Sequence, residues 1–101
     1  MTATQTITVD SLISRYGEGI AFVAEEEPAT TVHDFTYQVT VAAEHFEGAG
    51  INGGDELEVG TQYLADGAGA TDETTRAVFL AQAAEYLARA NDMADEYRLM
   101  V

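Results

Sequence analysis

The side chains best suited to chemistry are two histidines, His33 and His45, each beside a carboxylate, Asp34 and Glu44. A carboxylate-oriented imidazole can serve as a general base or a metal ligand. The two are not at the i, i+4 spacing that sets a pair of imidazoles on one helix face for zinc, so both read as surface or half-buried polar groups. Serine occurs only at Ser11 and Ser14, and no Ser-His-Asp order or nucleophile elbow can be drawn from them. With 18 Asp and Glu in 101 residues, carboxylate pairs arise by chance. The run Gly48-Ala49-Gly50-Ile51-Asn52-Gly53 satisfies G-x-G-x-x-G. That motif binds pyrophosphate where it follows a strand and opens a helix. Here it is expected to follow a helix and lead into a strand, with Asp55 and Glu56 repelling phosphate. No catalytic, cofactor-binding or metal-ligating residue is assigned, and the chain is expected not to be an enzyme.

Composition narrows the classes further. About 100 residues make one domain, and 47% hydrophobic residues supply enough apolar surface to fold. The absence of Cys removes disulfides, iron–sulfur clusters, thiol catalysis and Cys-type zinc sites. No basic segment followed by an apolar one opens the chain and no run of 18 apolar residues occurs, so neither standard export nor a membrane span is expected. The formal net charge is -14; the four basic residues are all arginine (Arg15, Arg76, Arg89, Arg98), and acids are spread from Asp10 to Glu96. A uniform acidic coat without Lys resembles the proteins of salt-accumulating archaea. In molar salt the Debye length shrinks to about 3 Å and screens the repulsion. The resemblance implies a cytoplasmic setting in a halophilic archaeon, or a virion. Asp72 before Arg76, Glu85 before Arg89 and Asp95 before Arg98 are in the acid-then-base order of intrahelical pairs.

Apolar spacing gives the elements that would position these residues. Thr4 to Val9 alternates as a short strand. Asp10 is a candidate N-cap for a short helix carrying Leu12, Ile13 and Tyr16, which Gly17 closes. Ile20 to Ala24 reads as extended, with Glu25-Glu26-Glu27-Pro28 as the break. Phe35 to Val41 places Phe35, Tyr37, Val39 and Val41 on one face with β-formers at nearly every position, which predicts a strand. Ala42 to Glu47 reads as two helical turns ended by Gly48-Ala49-Gly50, Asn52 to Asp55 as a turn, and Leu57, Val59 and Tyr63 as a further strand. Gly67-Ala68-Gly69 is the last loop, after which Thr71 or Asp72 starts a helix to about Arg98.

Residues 37–59 carry a resemblance. Val39-Thr40-Val41, a short helix, and then Gly50-Ile51 with Gly54-Asp55, Leu57 and Val59 look like the swapped-hairpin DNA-binding module of the AbrB and MazE-type antitoxin family. The resemblance implies a β-hairpin dimer that acts as a regulator or antitoxin. Ala42 stands where that pattern has proline and Ala49 where it has leucine, and basic residues for phosphate contact are missing, since only Arg15 precedes Arg76. Nucleic acid is a partner only under that reading.

The expected architecture is α+β: a small mixed or antiparallel sheet with a short N-terminal helix, and a long C-terminal amphipathic helix. Residues 1–101 form one domain, with 1–64 a sheet-rich body and 71–98 the helix. An unbroken helix of that length spans about 40 Å, against a radius of gyration near 13 Å for a compact chain of this size, so it should overhang its body. Its apolar stripe, Phe79, Leu80, Ala83, Tyr86, Leu87, Ala90, Met93, Ala94 and Tyr97, is the expected protein interface, unless the helix kinks near Ala90-Asn91-Asp92 and folds back. The expected role is a structural subunit of a homo-oligomer or other assembly, such as a small virion or head-tail connector protein of a haloarchaeal virus.

Overall fold

A computed structural model describes residues 7–100, and among these every regular element is a helix: α1 (Val9–Ala24), α2 (Val32–Gly48), α3 (Gly54–Gly69), α4 (Glu73–Leu87) and α5 (Ala90–Met100). The expected α+β fold with its sheet-rich body is therefore corrected to an all-helical bundle. From α1 to α4 each helix packs on the next, and α5 packs not on α4 but back on α1. One buried cluster, including Leu12, Ile20, Phe35, Leu57, Leu80 and Met93, draws on all five.

The N-terminal segment shows why the extended readings fail. Thr4 to Thr6 lie outside the described residues. Thr8, not Asp10, caps α1, in a reciprocal box in which the Ser11 amide donates to Thr8 Oγ1 and the Thr8 amide donates to Ser11 Oγ, both at 3.0 Å. The helix continues through Gly17 to Ala24, because Leu12, Tyr16, Ile20 and Val23 form one buried stripe at helical spacing. It stops where Glu25 adopts the left-handed conformation, φ 60°, and the Glu26 amide donates back to the Ala21 carbonyl.

The segment Phe35 to Val41, expected as a strand, is the middle of α2. Its fully buried apolar stripe runs through Phe35, Val39, Ala42 and Phe46, spaced four, three and four apart. Tyr37, which alternation would place inside with Phe35, is 57% exposed. Within seven residues the period of two wins; over twelve the helical stripe does, and its burial overrides the β propensity of the Val and Thr residues. Thr40 Oγ1 donates to the Thr36 carbonyl at 3.1 Å, which settles that hydroxyl within the helix. The helical reading of Ala42 to Glu47 is right.

The supposed strand at Leu57, Val59 and Tyr63 and the loop Gly67-Ala68-Gly69 both belong to α3. Gly53, Gly60 and Gly67 recur every seven residues and let α3 lie close along α4 and the start of α5. A Cβ on Gly60 would sit 3.0 Å from Leu87 Cγ and from Tyr86 Cβ, and one on Gly67 would sit 2.8 Å from Leu80 Cδ2. Gly53 has φ 123°, a backbone that side chains rarely adopt. Leu57 and Leu64 fill the remaining core positions of this face.

A prediction follows from this packing. Gly60→Ala should lower stability by about 1–3 kcal/mol despite the better helix propensity of Ala, because the buried Leu87 has no room to move. Gly48→Ala, where nothing lies within 4 Å, should be neutral or stabilising by up to about 1 kcal/mol. Urea denaturation of both variants in concentrated KCl checks the contrast.

Asp72 starts α4, as expected: the Thr75 amide at 2.9 Å and then its hydroxyl at 3.1 Å donate to the Asp72 carboxylate and hold its carboxyl below the ordinary value. This helix ends at Leu87, so the single helix to Arg98 is corrected to two. Ala88 and Arg89 form a turn without any Gly or Pro, just ahead of the Ala90-Asn91-Asp92 kink weighed as the alternative. The turn redirects the chain from α3 onto α1. There Ala90, Met93 and Ala94 are buried, Gly19 of α1 leaves only 3.1 Å between its added Cβ position and Ala94 Cβ, and Asn91 Nδ2 donates to the Arg15 carbonyl at 3.3 Å. The overhang is thus removed, and the radius of gyration is 13.5 Å.

Candidate interaction face

The nine residues expected as a partner interface divide in the folded chain. Leu80, Ala83, Leu87, Ala90, Met93 and Ala94 are at most 2% exposed and lie inside the chain's own core. Their stripe is already covered, and it does not form a free surface. Phe79, Tyr86 and Tyr97 remain half-buried at the edges.

Phe79 and Tyr86 of α4 flank Tyr63 of α3. The Tyr63 ring lies 6.3 Å from that of Phe79 and 5.6 Å from that of Tyr86, stacked on the latter at 19°. Three aromatic rings therefore run in a row along the α3–α4 seam. Val59, one turn before Tyr63 on the same helix face, is 42% exposed, and Val78, next to Phe79, is 56% exposed. Sequence reasoning missed Tyr63 and Val59 as parts of this face because it placed them on a strand; their i, i+4 spacing was the available signal. Tyr97 belongs elsewhere. It packs edge-on against Phe22 and Phe46 and parallel to His45, and the Arg98 guanidinium stands 4.6 Å over the Phe22 ring.

The candidate chemical groups resolve into structural roles. His45 is half-buried, and its Nδ1 lies 2.6 Å from the Val23 carbonyl near the end of α1, so the ring satisfies an orphan helix carbonyl. His33 is exposed in the first turn of α2. Ser11 is spent in the α1 cap. The G-x-G-x-x-G run follows α2 and opens α3, not the strand that was expected. It makes no phosphate cradle: Glu44, Glu47, Asp55, Glu56 and Glu58 line the recess beside it, and a negative charge there repels an anion. The residues that resemble the AbrB and MazE-type module form the helix-loop-helix of α2 and α3, so the hairpin that the resemblance implies is not formed. Among the described residues, no three of His, Asp and Glu converge to hold a metal ion, and no helix is long and apolar enough to cross a membrane.

Electrostatics sets the character of the whole surface. Each of the 18 Asp and Glu side chains is exposed. Among the described residues one ion pair forms, Arg98 to Asp95 at 3.3 Å. The other two expected pairs do not: Asp72 is occupied with Thr75, Arg76 donates to the Ala70 carbonyl at 2.7 Å, and Arg89 lies against Gly53. A solvated i, i+4 pair contributes only a few tenths of a kcal/mol, so little is lost without these two.

No protein-family model matches this chain, and neither the curated proteins nor the solved structures include a significant match to it.

Proposed function

We propose that this chain is a non-enzymatic assembly subunit of a salt-accumulating system, of the kind that small virion or connector proteins of haloarchaeal viruses represent, and that it docks on a second copy of itself through the aromatic row on α3 and α4. The observation that carries the reading is the half-exposed row Phe79–Tyr63–Tyr86 with the exposed Val59 one turn before Tyr63 on α3. The C-terminal stripe expected to serve this purpose is consumed by the fold, so the support comes from a different surface.

A second copy suits the row because the row is nearly symmetric about its centre. A twofold axis near Tyr63 would bring Phe79 of one copy towards Tyr86 of the other, the self-complementary arrangement that an isologous interface requires. Aromatic residues are also enriched at the buried centres of interfaces. Two bodies of charge -14 repel, so the contact should form only where salt screens them.

Light scattering in about 3 M KCl should give at least a dimer for the natural chain. Val59→Glu, at an exposed position, should reduce the mass to that of a monomer without changing the helical circular dichroism, and Tyr63→Asp should do the same. A natural chain that stays monomeric at tens of micromolar, or a Val59→Glu variant of unchanged mass, overturns the reading.

A further inference from the structure

The glycine run that makes no phosphate cradle ends in a dipeptide with chemistry of its own, Asn52-Gly53, in the loop between α2 and α3. An asparagine before a glycine can modify itself. The glycine nitrogen reaches the side-chain carbonyl carbon in a five-membered ring, and no Cβ obstructs the closure. A fold blocks this reaction by holding either group in a hydrogen bond, and here neither is held. Asn52 is exposed and its side chain has no hydrogen-bond partner among the described residues, nor does the Gly53 amide. Glycine is also required at position 53. Its φ is 123°, and an added Cβ would stand 2.9 Å from Arg89 Nη1 and 3.0 Å from Met93 Sδ, so the packing that demands a glycine also leaves its nitrogen unhindered. The second asparagine, Asn91, is the contrast: it lies in helix α5 and its Nδ2 donates to the Arg15 carbonyl at 3.3 Å.

We propose that Asn52 is a site of spontaneous modification in the folded chain, converting through a succinimide to aspartate and isoaspartate, and that the isoaspartate product loosens the joint between α2 and α3. The Gly53 nitrogen gives up its proton to hydroxide and attacks Asn52 Cγ. The new N–Cγ bond replaces the Cγ–Nδ2 bond, and Nδ2 leaves as ammonia with a proton taken from water. A water molecule then opens the ring, with no oxidation or reduction. Cleavage at Cγ leaves aspartate. Cleavage at the main-chain carbonyl carbon leaves isoaspartate, whose chain runs through Cγ and is lengthened by a methylene. The loop has no slack for that methylene. Before it, Ile51 is 4% exposed and its amide donates to the Phe46 carbonyl at 2.8 Å; after it, a Cβ on Gly54 would stand 3.0 Å from Ala43 Cβ. Both ends are pinned to α2, so the longer chain must displace one of them. Aspartate keeps the chain length, and its charge falls just ahead of the N-terminus of α3, where the helix dipole favours it.

The natural chain is held folded in about 3 M KCl at mildly alkaline pH, and the peptides carrying residues 52 and 91 are followed by mass spectrometry. Asn52 should change from amide to acid at a rate within about tenfold of that in the same chain unfolded by guanidinium chloride, a barrier difference below about 1.4 kcal/mol, while Asn91 stays an amide. Conversion more than about tenfold slower in the folded chain would mean that the fold protects the loop, and would overturn the proposal. The isoaspartate form, separated by chromatography, should melt about 4–8 °C below the fresh chain. Asn52→Asp, which carries the charge without the added methylene, should melt with the fresh chain, and Asn52→Ser should keep its midpoint through the same incubation. An isoaspartate form that melts with the fresh chain, or a midpoint that falls equally in Asn52→Ser, overturns the effect on the joint.

Discussion

Leu87→Asp is expected to unfold this protein, not to release it from an oligomer. Leu87 is fully buried where α4 meets Gly60 of α3. An Asp there must either keep an unpaired charge in the core or bind a proton to shed it, and it also leaves the space of the leucine unfilled. The combined loss exceeds about 4–5 kcal/mol, the exceptional end of single-residue effects, against a total stability of about 5–15 kcal/mol for a domain. Far-ultraviolet circular dichroism in concentrated KCl should show most of the helical signal lost. Leu99→Asp, on the same C-terminal segment but 89% exposed, should leave it within about 0.5 kcal/mol of the natural chain. A Leu87→Asp variant that stays folded and becomes monomeric would mean that α4 presents this face to a neighbour, and the packing described above would be wrong.

The second large effect is the dependence of the fold on salt. Fourteen net negative charges on a body of 13.5 Å radius of gyration carry a self-repulsion on the order of 20 kcal/mol in unscreened water. A Debye length of about 3 Å at 1 M salt reduces it to a few kcal/mol. The unfolded chain is roughly twice as wide and bears part of the same cost, so a difference of several kcal/mol acts against folding at low salt. That is comparable with the whole stability of a small domain. With all 18 acids exposed and one ion pair among the described residues, little local pairing offsets it. The helical signal should therefore fall steeply as KCl is diluted from about 3 M to 0.05 M, and return on adding salt. A melting midpoint that hardly moves over that range would refute the screening argument and remove the main physical support for a saline setting.

How much of the fold could be read from the residues depends on the length of pattern each element offered. The start of α4 at Asp72 was legible because an N-cap acid and an acidic first turn are local signals. The turns after Glu47 were legible for the same reason, through Gly50 with its φ of 78°. The middle of α2 was not, because seven residues of alternating β-formers hide a stripe that is visible only when Phe46 is counted with Phe35. In α3 the stretch Gly67-Ala68-Gly69 was taken for a loop and Gly60 carried no reading. Gly60 and Gly67 are helical and are kept small by the neighbours that press on them, a reason that resides in α4 and not in α3. The aromatic row was half legible: Phe79 and Tyr86 stood out, but Tyr63 joins them only once α3 and α4 lie side by side.

By itself, then, the order of residues determined the acidic character, the lack of cysteine and lysine, the capacity to form one core and the start of α4 at its Asp72 cap, all of which depend on composition or on neighbours within one turn. Only the tertiary structure decided that the chain is helical throughout residues 9–24 and 32–48, that the last helix breaks at Ala88 and Arg89, and that its apolar flank turns inward. The break has no Gly or Pro to announce it. It arises because burying Ala90, Met93 and Ala94 against α1 gains more than two further residues of helix could, and that comparison involves residues more than seventy positions apart in the chain.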